Sequence, residues 1–67
     1  MANIIYRVDG HSFDDLDAAH EYVAATFFRP GDEVGREREP CRDGFAFRFF
    51  NESGEDDFSV LVYEVRL

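Results

Sequence analysis

The sequence predicts a small α+β domain: one helix packed across one face of a mostly antiparallel four-stranded sheet, in the order β-α-β-β-β. Three features lead there. Residues 3–9 alternate apolar and polar side chains at a period of two, residues 13–28 switch to steps of three and four, and the stretches 45–50 and 58–67 return to alternation. Sixty-seven residues leave room for one core, so residues 1–67 are read as a single compact domain.

The first strand points Ile4, Tyr6 and Val8 one way and Ile5, Arg7 and Asp9 the other. Gly10 and His11 turn the chain. Ser12 then reads as a helix N-cap, its hydroxyl placed to accept from the backbone amides of the next turn. Asp14 and Asp15 in that turn complement the positive end of the helix dipole. The helix shows Phe13, Leu16, His20, Val23, Ala24 and Phe27 on one face. Arg29-Pro30-Gly31 stops it, because proline cannot donate the amide hydrogen bond that would continue it. Residues 33–39 set Arg36 and Arg38 against Glu37 and Glu39, an edge strand whose charges deter pairing with other chains, with Pro40 at its margin. Asp43-Gly44 marks a hairpin, since a type I′ turn needs positive φ at both central residues.

Phe45, Phe47 and Phe49 line one face of the next strand, with Ala46, Arg48 and Phe50 opposite. A polar, acidic connection over residues 51–57 follows. In the last strand Phe58, Val60 and Val62 face one side and Leu61, Tyr63, Val65 and Leu67 the other. Burial of both sides is expected of a central strand. The helix covers the Phe45, Phe47, Phe49 stripe. The opposite face, with Phe50 and one side of the last strand, is left open, and an exposed apolar patch of that kind marks a protein interface or the contact of a homodimer.

Fifteen Asp and Glu stand against seven basic residues, all arginine, for a formal charge of −8. That is the upper end of the range of about 2 to 8 that a small domain comfortably carries. Such charge favours solubility and works against compaction through self-repulsion. The chain is nevertheless 45% hydrophobic, with eight Phe and three Tyr, which excludes the disordered class. Cys41 is the one cysteine, so no internal disulfide forms, and an intracellular setting is the simplest fit. No apolar run approaches the ~20 residues of a membrane span, and the first residues do not resemble a signal peptide. No membrane partner is expected.

Three kinds of chemistry are weighed and set aside. Cys41 with His11 or His20 supplies the residue types of a nucleophile and base, but no glycine-rich elbow or oxyanion loop accompanies them, so the reading is not an enzyme. The acidic connection lacks the alternating ligands and terminal bidentate Glu of a calcium loop, so no metal and no cofactor is assigned. Direct nucleic-acid binding needs arginine and lysine to release counterions, and this surface has the opposite sign. The acids instead suit a protein that binds where nucleic acid would. Asp14, Asp15, Asp17 and Glu21 on and before the helix, Asp32 and Glu33 after it, and Glu52, Glu55, Asp56 and Asp57 in the last connection are the partner-binding candidates. The helix flank from Asp14 to Glu21 spans about 10.5 Å and offers three carboxylates. Duplex DNA carries roughly six charges over that length.

In its size, its charge and its Asp14-Asp15-Leu16-Asp17 and Glu52-Ser53-Gly54-Glu55-Asp56-Asp57 clusters, the chain resembles the small acidic single-domain inhibitors of phages and mobile elements, anti-CRISPR proteins ahead of antirestriction DNA mimics. The resemblance spans the whole chain as composition and architecture and involves no shared motif. It implies a stoichiometric inhibitor, acting in the bacterial cytoplasm, whose acidic face docks on the basic channel of a CRISPR surveillance complex, type I favoured, and blocks recognition of target DNA. A second class of function is an interaction module, such as an antitoxin or small regulatory subunit, held through the open sheet face.

Overall fold

The alternating residues of β1 (Ile4–Val8) run straight into Asp9-Gly10, whose φ angles are 51° and 78°. Positive φ at both central residues of a two-residue turn matches the twist of antiparallel strands. The chain therefore returns at once as β2 (His11–Phe13), pairing Val8 with His11 and Tyr6 with Phe13. The computed structural model, which describes residues 3–54 and 58–67, thus holds a five-stranded antiparallel sheet where the sequence predicts four strands. The element order is β-β-α-β-β-β. Ser12 and Phe13 are strand residues, not cap and first helical residue, because the turn chemistry of Asp9-Gly10 commits them to pairing.

Helix α1 (Leu16–Phe27) begins later than the sequence predicts. Its N-cap is Asp15, in extended conformation, whose Oδ1 accepts from the Asp17 N–H at 3.1 Å. Asp17 is the acid of the first turn; Asp14 and Asp15 precede it. At the other end Phe28 is already extended, and the Asp32 carboxylate accepts from the Arg29 N–H at 2.9 Å. The Asp32 N–H donates back to the Arg29 carbonyl at 3.1 Å, with Gly31 at φ 91° between them. Pro30 and Gly31 stop the helix as expected.

The remaining strands are β3 (Val34–Cys41), β4 (Gly44–Asn51) and β5 (Ser59–Arg66), and the sheet order is β2-β1-β5-β4-β3. Strand β3 is an edge, as its alternating charges suggest, and Pro40 lies near its end opposite Phe45. The β3–β4 hairpin turns on Arg42 and Asp43, neither of which has positive φ; Gly44 follows at 147°. The type I′ turn expected there is found at Asp9-Gly10 instead.

Register then sorts the side chains. Tyr6 pairs with Phe13 and Glu64, and Glu64 with Phe45, so these residues share one face with Val8, Val62, Phe47 and Phe49. The helix lies on this face. Ala19 and Val23 pack with Val8, Val62 and Phe49 into the core, and Phe49, Val62, Ala19 and Val23 have no exposed surface. Tyr22 extends the contact outward, its ring 5.3 Å from that of Phe13 and 6.4 Å from that of Phe27.

Strand β5 is central in hydrogen bonding but not buried on both sides: Leu61 and Tyr63 are 38% and 48% exposed. Among the described residues no element covers the second face.

Two substitutions separate the observed cap from the predicted one. Asp15→Ala should lower stability by about 1 kcal/mol in urea unfolding, and Ser12→Ala by less than about 0.5 kcal/mol. Phe49→Ala should cost about 3–5 kcal/mol, enough to leave so small a domain largely unfolded.

Candidate functional site

The acidic candidates fall into separate groups. Asp14, Asp15, Asp17 and Glu21 are exposed at the start of α1 and along its outer side. Glu21 follows Asp17 by one helical turn, so the two stand in one row. Within this group the Asp15 carboxylate is already engaged as the cap, and Asp17 bonds Arg36 on β3 at 3.3 Å while 80% of its side chain remains exposed. Asp14 and Glu21 enter no ion pair among the described residues.

A second group lies past the other end of α1. Asp32 is half-buried and occupied by the Arg29 turn. Glu33 is exposed, and its carbonyl accepts from the Glu52 N–H at 2.8 Å, which brings these two residues together at the head of β3. The Glu52 side chain, however, lies across Gly35 on the sheet face away from the helix, where a Cβ on Gly35 would overlap its carboxylate. Asp32, Glu33 and Glu52 are neighbours in space, therefore, but they do not present three carboxylates in one direction. Glu55, Asp56 and Asp57 lie outside the described residues. From Glu21 to the end of α1 is six residues, about 9 Å of helix, and the chain then turns through Arg29 and Asp32 to the head of β3.

The arginines explain part of this arrangement. Strand alternation puts Arg36 and Arg38 on the helix side of β3. Arg36 reaches the helix, bonding Asp17 and lying 3.2 Å from His20 Nδ1. Arg38 lies over the Phe45 ring at 3.7 Å and bonds Glu64 at 3.3 Å. The Glu64 side chain is only 6% exposed, and Arg66 approaches the same carboxylate at 3.8 Å. On the opposite face Arg48 bonds Glu39 at 3.0 Å. The buried Glu64 carboxylate was missed in the sequence, where only its strand parity could have assigned it to the helix side.

The histidines and the cysteine are dispersed. His11 stacks on Tyr22 at 4.9 Å from edge strand β2, and His20 packs edge-on against Phe49 at 5.1 Å. Cys41 is exposed at the tip of the opposite edge strand, in an open cleft of about 770 Å³ beside Arg42, Phe45, Tyr63 and Arg66. From Arg36, which meets His20, to Cys41 is five residues of strand, roughly 17 Å. Four strand spacings, about 19 Å, separate the β2 and β3 edges. The nucleophile and base that the residue types allow are not brought together. Among the described residues no group of three His, Cys, Asp or Glu side chains is placed to hold a metal ion, and no helix is long and apolar enough to cross a membrane.

The open face is the other candidate surface. Down β5 it carries Leu61, Tyr63 and Val65, flanked by Ile5 and Arg7 on β1, by Arg48 and Phe50 on β4, and by Glu37 and Glu39 on β3. It is thus an apolar column with charged margins.

No protein-family model matches the chain, and neither a curated protein nor a solved structure matches it at a significant level.

Replacing Glu64 with Gln should lower stability by about 1 kcal/mol in urea unfolding, because two partly exposed arginines lose their shared carboxylate. Arg48→Ala, on the exposed Glu39 pair, should cost well under 1 kcal/mol, and its effect should vanish in high salt.

Proposed function

We propose that this protein is a stoichiometric inhibitor that acts by binding a basic, nucleic-acid-handling protein through the acidic side of α1. The observation that carries the reading is the exposed acidic side of α1, the row of Asp17 and Glu21 with Asp14 just ahead of the helix, in which Asp17 alone has a cationic partner among the described residues. These residues are exposed, so they present negative charge to a cationic surface. Long-range attraction then speeds encounter. The overall charge of −8 makes the same surface repellent to nucleic acid itself. By resemblance of size and charge, the target is a CRISPR surveillance complex, type I favoured, and the consequence is blocked recognition of target DNA in the bacterial cytoplasm.

The helix row of Asp17 and Glu21 supplies two carboxylates over about 6 Å, where duplex DNA carries roughly three to four charges. The reading is therefore one of competition for part of a channel by a charged, folded wedge. It involves no replica of a duplex.

A second reading is an interaction module, such as an antitoxin or small regulatory subunit, held through the open sheet face. It is favoured by the exposure of Leu61 and Tyr63 at the centre of that face.

A pull-down of purified CRISPR complexes and restriction enzymes, washed at low and high salt, tests both. The inhibitor reading expects one complex retained at low salt and displaced by its target DNA. The combined substitution Asp14→Asn, Asp17→Asn and Glu21→Gln should weaken that capture at least about tenfold, the scale of losing several steering and contact charges. Retention unaltered by the triple substitution and lost with Tyr63→Glu would transfer the function to the sheet face.

A further inference from the structure

We propose that the open sheet face is the contact surface of a homodimer, with two copies packed face to face about a two-fold axis parallel to the strands. The inference takes its surface from the sheet-face reading and names the occupant as a second copy of this chain.

The edges of the sheet argue first. Arg36 and Arg38 project from the helix side of β3, and Glu37 and Glu39 from the open side. Residues opposite each other in paired strands share a face. In-sheet pairing of β3 with another β3 therefore sets Arg against Arg and Glu against Glu wherever the charged stretches overlap, which is destabilising. The other edge, β2, is only three residues long and offers little to pair with. Self-association through the edges is suppressed at both sides of the sheet.

The open face has the opposite character. Its centre is the apolar column of β5, where Tyr63 and Leu61 are 48% and 38% exposed. Its charged margins are close to balance: Arg7 and Arg48 stand against Glu37 and Glu39, and the Glu52 side chain at the corner over Gly35 leaves one excess negative charge. The other acids among the described residues lie on the helix side and at the ends of the strands. A strongly cationic partner has little reason to choose this face. A second copy meets less repulsion here than on the acidic helix side.

The margins are also complementary under a two-fold axis. Strand β1, with Arg7, lies on one side of β5, and β3, with Glu39, lies beyond β4 on the other. Arg7, Tyr63, Ala46 and Glu39 form one row across the sheet. An axis along the boundary between β5 and β4 exchanges the two margins and keeps each row level. Arg7 then faces the partner's Glu39 at each margin, and Tyr63 faces the partner's small Ala46. Among the described residues Arg7 has no ion-pair partner within its own chain, and Glu39 has Arg48, on this same face. Stacked sheets stand about 10 Å apart, within reach of two side chains meeting from opposite sides. Both α1 helices point outward in such a dimer, so their acidic rows are carried on opposite sides.

Sedimentation equilibrium of the full chain up to ~1 mM tests the proposal, since even millimolar dissociation constants are detected there. The wild type should sediment as a reversible dimer of the 7.8 kDa chain. Tyr63→Glu should be monomeric with its far-UV circular dichroism unaltered. Arg7→Glu should weaken the dimer about tenfold, and Arg7→Glu combined with Glu39→Arg should recover most of that loss. A wild type that stays monomeric throughout, or a dimer indifferent to both Tyr63→Glu and Arg7→Glu, would overturn it. The triple substitution on α1 should dimerise like the wild type, so failure of the dimer and failure of either binding reading are told apart.

Discussion

The contact on which the rest of this structure depends is the seating of Ala19 and Val23 against Phe49 and Val62. A chain of this size buries only about 60% of the surface its unfolded form exposes, and a single fully enclosed aromatic ring is a large part of what it has. Phe49 can be enclosed because small and β-branched residues meet it from the helix, letting α1 approach closely. That approach sets the position of everything on the helix. His20 falls beside the Phe49 ring, Arg36 comes within reach of both His20 and Asp17, and Glu21 follows one turn later. The row of acids is thus placed by an apolar contact on the other side of the helix.

A charge of −8 on so small a body must be accommodated, and the sheet does so by alternation. Each arginine of β3 and β4 projects to one face or the other and finds a carboxylate there: Arg36 with Asp17, Arg38 with Glu64, Arg48 with Glu39. Exposed pairs of this kind contribute little individually. Their collective effect is on distribution. They hold the arginines among the strands and leave Asp14, Glu21 and Glu33 to the solvent. Glu64 differs from the others because its carboxylate is nearly enclosed, and Arg38 and Arg66 together offset its desolvation. Among the described residues the outcome is an acidic helix side and a nearly neutral, partly apolar sheet face, two surfaces suited to different partners.

Much of this was legible in the residues. The stripe of Phe45, Phe47 and Phe49, the helical spacing of Leu16, Val23 and Phe27, the charged edge strand and the open face with Tyr63 all follow from periodicity, because side-chain direction in strands and helices is set by backbone geometry alone. Apart from the Asp43-Gly44 turn, the expected burial of both sides of β5 and the overlooked Glu64, the misreadings cluster in one place. Residues 9–15 contain two competing signals, an Asp-Gly turn and a Ser positioned as a cap, and both are local. The turn prevailed because β1 was there to be paired, and the helix start moved to the next acceptor, Asp15. Nothing within that segment could decide between them.

The sequence by itself determined the fold class, the face of each strand and the sign of the surface, since these depend on local periodicity and on a count of charges. Only the tertiary structure decided the fifth strand, the enclosure of Glu64, the pairing of Asp17 with Arg36, and the placement of the Glu52 side chain over Gly35. Each of these joins residues distant in sequence, and such meetings are set by strand register and by the closeness of helix to sheet. The same reason explains why the seven acidic candidates among the described residues became a row of Asp17 and Glu21 on the helix with Asp14 ahead of it, a cap at Asp15, a turn at Asp32, an exposed Glu33 and a Glu52 carboxylate lying on the far side of the sheet.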